Sequence, residues 1–298
     1  MIFSIAHKTK LYQLLLHAVI GVVVFVFKPS AIIINMCMIA WFMLFMIKSK
    51  DKLYATLVAC AYIATSDVFF RMTKGLLFYE LHKYLLILFI GMGLLYEPVK
   101  AKGKIYIIYI ALLLLGIVFT EYNYDEEVRK MIAFNLGGPI SLGMVGVYVY
   151  KKKIPLNKLV EVLFYMLLPI VSLTVYLFLY APSVKDVVTG TDSNFTTSGG
   201  FGPNQVATIL GAGIFIVISR LILSKSRGLL FYVELVLLAL IAYRGLVTFS
   251  RGGIITGVIA TLFFVLLSFI KGKTTLKSKV IRFVILFTTL GLVVWGYA

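Results

Sequence analysis

Acidic residues are scarce in this sequence. Against 29 Lys and Arg, its 298 residues include only 12 Asp and Glu, with three histidines. Cysteine is scarcer still: Cys37 and Cys60 both lie inside apolar runs, with no CxxC pair and no Cys/His cluster. These shortages exclude a disulfide framework and leave no metal-ligand spacing, so no metal and no other cofactor is expected. Charged residues of both signs make up 14% of the chain, whereas soluble domains carry roughly 25%. There is no low-complexity tract and no internal repeat.

What the chain has in quantity is apolar. Hydrophobic residues reach 61%, and the mean hydropathy is +1.01. Apolar runs of about 17 to 22 residues recur, the length that crosses a bilayer as helix. Eleven spans are expected, near 11–27, 30–47, 53–70, 84–96, 105–120, 131–150, 159–181, 205–223, 229–247, 253–270 and 280–298. The fourth is short, with room to begin earlier, near Leu76. The first is followed by Lys28-Pro29 rather than a small-residue cleavage pattern, so it is not read as a signal peptide. The fold class is therefore all-α, a polytopic transmembrane bundle, and residues 1–298 read as a single membrane domain.

The formal net charge of +17 does not point to nucleic acid, because the charges fall in short clusters between apolar runs. Counting Lys and Arg by alternate connections gives the orientation. One set, which includes the N-terminus, holds 20 of the 29, leaving nine for the other. The N-terminus is thus expected in the cytoplasm, with the acidic stretch Glu121–Glu127, the long connection 182–204, Arg244 and Arg251 outside. Outward arginines run against that rule. The basic residues Arg220, Arg227 and Arg282 fall on the cytoplasmic side and conform to it.

The two outward arginines share the stretch RGLVTFSRGG, Arg244 to Gly253. Arginine at a membrane boundary is costly unless solvated, paired or used. Its planar fork of donors suits phosphate oxygens. Gly252 and Gly253 are expected to leave backbone N–H groups uncovered where the next helix begins, which favours an anion. Two roles fit these residues equally well: an anion site, or a snorkelling Arg244 beside a tight SRGG turn. Upstream, 182–204 is rich in Gly, Ser, Thr, Asp and Asn and ends in GGFGPNQVAT. Pro203 biases the residue before it away from helix. Asn204 is expected to cap a helix begun by Gln205. Asn204, Gln205 and the glycine N–H groups together make a polar cradle, or simply a turn and a cap.

GGFGPNQVA followed by TFSRGG resembles the O-antigen ligase/polymerase superfamily of bacterial membrane glycosyltransferases, most clearly over about residues 195–270. The resemblance implies transfer of glycan from a polyprenyl diphosphate carrier to an acceptor glycan or lipid core. It places that chemistry at the extracytoplasmic face of the bacterial plasma (inner) membrane. Membrane lipids and the two glycans are the implied partners, and nucleic acid is not one. Arg251 matches the family position that holds the diphosphate and is the catalytic candidate. Arg244, Asn204, Gln205, Gly252 and Gly253 are the substrate-binding candidates, with Arg244 added from charge and location alone. As the glycosidic bond breaks, charge grows on the leaving diphosphate, which fixed cations and N–H donors stabilise. Family members usually continue into a large external loop, so the chain is expected to be C-terminally truncated.

No residue stands out as general base. His7 is cytoplasmic and His17 lies within the first span. His82 reads as an interfacial residue on an amphipathic piece, 76–83. Asp186 and Asp192 are outer carboxylates with nothing to choose between them. Asp67 and Arg71, spaced i, i+4, read first as a self-neutralising pair. The competing class is a lipid-linked oligosaccharide flippase. Such transporters usually carry internal repeats and charges across the bilayer, whereas here the unusual polar groups gather at one face.

Overall fold

A computed structural model describes residues 2–97, 101–120, 127–181, 195–224, 228–271 and 281. Every regular element among them is a helix. In chain order these are α1 (Ile2–Val26), α2 (Ser30–Lys48), α3 (Lys52–Met72), α4 (Leu81–Tyr96), α5 (Ile105–Val118), α6 (Val128–Val149), α7 (Leu156–Tyr180), α8 (Pro203–Leu223), α9 (Leu229–Val247) and α10 (Arg251–Lys271), with one 3₁₀ turn at Ala101–Lys104. Eight are long and apolar enough to cross a membrane; α4 and α5 are shorter apolar helices. The protein is a helical membrane protein of several spans. The first ten expected segments each fall on one helix, and the eleventh, 280–298, lies outside the described residues apart from Ile281. Large side chains such as Trp41, Leu112, Phe119, Leu262 and Phe263 are exposed, as lipid-facing surface requires and water does not favour.

The chain divides into two compact units, one of residues 26–169 and one joining 1–25 to 170–298. Helix α7 passes from one to the other at Pro169, which cannot donate to the carbonyl of Tyr165.

In the 26–169 unit, α3 begins at an Asp51 cap whose carboxylate accepts from the Tyr54 N–H at 3.0 Å. Buried hydroxyls within α3 return to carbonyls one turn back, Thr56 to Lys52 at 2.8 Å and Thr65 to Ala61 at 2.9 Å. Apolar surroundings demand that internal satisfaction. At its other end the chain reverses through Lys74, in the left-handed region at φ 58°. Asn35 of α2 donates to the Gly75 carbonyl at 2.9 Å and so fixes that reversal. The next helix therefore starts at Leu81 rather than near Leu76, the preceding residues being used in the turn. Helices α5 and α6 pack through glycine: side-chain atoms of Tyr106 and Ile110 fill the space where Gly146 and Gly143 carry no Cβ.

In the other unit, α1 lies on the second half of α7. A Cβ at Gly21 would stand 2.6 Å from the Ser172 carbonyl oxygen, and Ser172 donates to the His17 carbonyl at 2.7 Å. Helix α8 is the centre of this unit, with Val206, Ala207, Leu210 and Val217 fully buried. It runs parallel to α10 in backbone contact. A Cβ at Gly253 would lie 2.3 Å from the Thr208 nitrogen, and one at Gly257 2.5 Å from the Gly211 carbonyl. Small residues four apart on both helices, Ala207 and Gly211 against Gly253 and Gly257, permit this approach.

Candidate functional site

Five segments of the second unit meet at one end: the close of α7, the turn 195–200, the start of α8, the close of α9 and the start of α10. The turn is built on glycine. Gly199 and Gly200 hold φ of 73° and 72°, and the Gly200 N–H donates to the Phe195 carbonyl at 2.8 Å. A Cβ on Gly200 would also meet the Tyr180 hydroxyl at 2.7 Å. Gly202 then leads into α8, which opens on Pro203, whose fixed φ suits the first helical position. Because Pro203 starts the helix, Asn204 lies inside its first turn and does not cap it. The Asn204 side chain instead accepts from Ser250 Oγ at 2.7 Å.

That hydrogen bond ties the start of α8 to the start of α10. The connection between α9 and α10 reverses sharply at Phe249, held in the left-handed region at φ 53°. For a bulky residue this conformation costs about 1–2 kcal/mol. Thr248 secures it, donating to the Gly245 carbonyl at 2.7 Å and accepting from the Ser250 N–H at 3.3 Å. Arg251 is the first residue of α10 and is exposed, with no side-chain partner among the described residues. The tight turn thus lies one residue before the SRGG stretch, and that stretch is helical from Arg251 on.

The glycines after Arg251 separate in role. Gly252 is exposed with open space around it. Gly253 is buried against the backbone of Ala207 and Thr208, so its missing side chain serves the crossing of α8 and α10 rather than an open N–H cradle. Gln205 is half-buried and lies over Gly202.

Arg244 departs furthest from expectation. It does not snorkel outward: it is 1% exposed. Its Nη1 and Nη2 donate to the carbonyls of Ala181, at 3.2 Å, and Thr197, at 2.9 Å. The guanidinium lies 5.1 Å from the Phe178 ring, which stacks in turn on Tyr243. Arg244 is a clamp that fastens the end of α7 and the 195–200 turn to α9. The site therefore gathers Asn204, Gln205, Arg251 and Gly252 at its surface, with Arg244, Ser250 and Gly253 beneath.

Electrically this end is positive. Two helices begin here and two close here, so the partial charges of their ends largely offset one another. The positive charge comes from the exposed Arg251 guanidinium, with Arg244 buried beneath it. No Asp, Glu or His lies within 195–205 or 243–256. Asp186 and Asp192 lie outside the described residues. The arrangement can bind an anion and offset negative charge, and among the described residues it includes no carboxylate or imidazole.

Other charges are paired elsewhere. Arg220 is not an exposed cation: it is 1% exposed, and its Nε and Nη2 both donate to Glu234 of α9. Glu234 escaped the reading of charge by connection, although it is the only acid in 229–247, which is a sufficient signal for a buried partner. Asp67 and Arg71 do form the expected pair, Nε to Oδ1 at 3.1 Å and Nη2 to Oδ2 at 2.9 Å. His82 is buried rather than exposed on an amphipathic surface. It is 2% exposed and donates from Nε2 to Asn35 Oδ1 at 2.9 Å, Asn35 being fixed by its own bond to Gly75. Among the described residues no group of three or more His, Cys, Asp and Glu is arranged to hold a metal ion. No family model matches the chain, and no match was found among curated proteins or solved structures.

Proposed function

We propose that the protein is a membrane glycosyltransferase that moves glycan from a polyprenyl diphosphate carrier to an acceptor glycan or lipid core at the extracytoplasmic face of a bacterial plasma membrane. The observation that carries the reading is the unpartnered Arg251 at two joined helix N-termini. A diphosphate there lies at helix N-termini, which favour anions, and meets a bidentate guanidinium. The likeness of GGFGPNQVA and TFSRGG to the O-antigen ligase/polymerase motifs supports the same assignment.

In this account the end of the second unit is a leaving-group site. The lipid tail stays in the bilayer while its diphosphate rests against Arg251 and the N–H groups of both helices. As the bond from anomeric carbon to diphosphate breaks, the extra negative charge develops beside fixed positive groups that need no reorganisation. Arg244 keeps the 195–200 turn in place beneath, and Asn204 fixes Ser250 and so the start of α10. The basic bias of alternate connections supports an outside position for this end.

A strain deleted for the gene separates the readings through its surface glycan. One unit retained with loss of chain length means a polymerase, and loss of all units from the lipid core means a ligase. Accumulation of carrier-linked units on the inner leaflet means a flippase, and an unaltered glycan removes the proposal.

A further inference from the structure

We infer that the 26–169 unit carries a separate saccharide-binding pocket between the 73–80 turn and the first two turns of α6. A cavity of about 820 Å³ lies there, within the range of small-molecule sites. Four aromatic rings, Phe78, Tyr79, Tyr84 and Phe134, form much of its wall. Between them stand Glu80, Lys130 and Asn135.

The composition of that wall chooses the ligand class. Among the described residues Met131 and Ala133 complete the lining, with no Leu, Ile or Val, in a chain that is 61% hydrophobic. An acyl chain calls for branched aliphatic walls; flat rings interleaved with an acid, an amide and an amine suit the apolar faces and hydroxyl edges of a sugar. Diphosphate is disfavoured, since Glu80 opposes it and Lys130 is already paired with Glu127.

The rings are also held in advance. The Arg71 guanidinium sits 4.3 Å from the centre of the Tyr79 ring, itself anchored by the fork to Asp67. Lys83 lies 5.4 Å from the Phe134 ring and donates to the Phe134 carbonyl at 3.4 Å. Tyr79 and Phe134 stand near parallel, 28° apart with centroids at 6.4 Å. Two rings held by neighbouring cations, Tyr79 and Phe134, lose little freedom on binding, which favours affinity. The buried pair Asn35 and His82 and the half-buried pair Asp67 and Arg71 thus support a wall.

This inference rests on the glycan-transfer reading for its choice of saccharide, while its readout is binding and needs no turnover. The full chain in lipid nanodiscs is mixed with saccharide released by mild acid from the source cell's own lipid-linked glycans. Saturation-transfer NMR then detects contact through the sugar ring protons. Transfer is expected in the wild type and in Arg251→Ala, with about tenfold weaker binding in Tyr79→Ala and Phe134→Ala. Tyr79→Phe keeps the ring and should keep binding, which separates ring loss from misfolding. No transfer in the wild type, or undiminished transfer in Tyr79→Ala and Phe134→Ala, overturns the pocket assignment. Transfer that moves to lipid acyl protons assigns the cavity to lipid and overturns it equally. Loss of pocket binding with Arg251-dependent chain growth intact leaves the proposed function standing.

Discussion

Two arginines seven residues apart in one motif do opposite things because of what surrounds them. Arg251 is exposed and unpartnered among the described residues, whereas Arg244 is buried with two carbonyls on its fork. Arg244→Lys keeps the charge but cannot span both carbonyls, so it should cost about 1–3 kcal/mol of stability. Thermal melting of the purified protein reads that loss, with faster proteolysis near 195–200; an unchanged melt would mean the clamp is dispensable. Asp51 gives a pH-dependent counterpart in the other unit. The Lys158 ammonium and the Tyr54 N–H hold its carboxyl below the usual carboxylate range. Its folded pKa is depressed, so its stabilisation is present above the unfolded value and fades as pH falls through the folded one. The pair is half-exposed, which limits the effect to less than about 1 kcal/mol. Asp51→Asn should therefore melt slightly below wild type at neutral pH, the gap closing below about pH 4. A gap that widens on acidification would contradict the pairing.

At the scale of helices, the α8–α10 crossing sets the spacing of the two N-termini. Gly253→Ala introduces a Cβ 2.3 Å from backbone nitrogen, so the helices must part and both stability and function should fall. Gly252→Ala meets nothing within 4 Å and should fold as well as wild type or better, given alanine's higher helix propensity. Equal melting of the two variants would show that the crossing is looser than described. The buried pair between α8 and α9 behaves differently. Glu234→Ala leaves a guanidinium without its carboxylate inside the unit, a loss of about 3–5 kcal/mol; Glu234→Gln keeps an acceptor and should cost less. Matching melts for Glu234→Ala and wild type would remove Arg220–Glu234 from the account. The helices themselves were legible in the sequence, because a run of apolar residues long enough to span needs no partner to be recognised. Their contacts were less so. An arginine at the close of a span reads alike whether it turns outward or inward, and the carbonyls that draw Arg244 inward lie 63 and 47 residues away in the chain. Gly253 was read as an open turn because SRGG looks like one. Its spacing to Gly257, four residues on, carried the packing signal all the same.

For the molecule as a whole, the account joins a positive end in one unit to a ringed cavity in the other by chemistry: diphosphate at the first, saccharide at the second. What the account requires most is that Arg251 meet the diphosphate through its fork of donors and not merely by its charge. The direct measurement is surface-glycan chain length in cells carrying wild type, Arg251→Lys or Arg251→Ala at equal membrane levels, with melting of each purified variant as the folding control. Both variants should fold normally and lose chain growth, transfer falling about a hundredfold or more. Wild-type chain length from Arg251→Ala at normal expression would contradict the account at its centre.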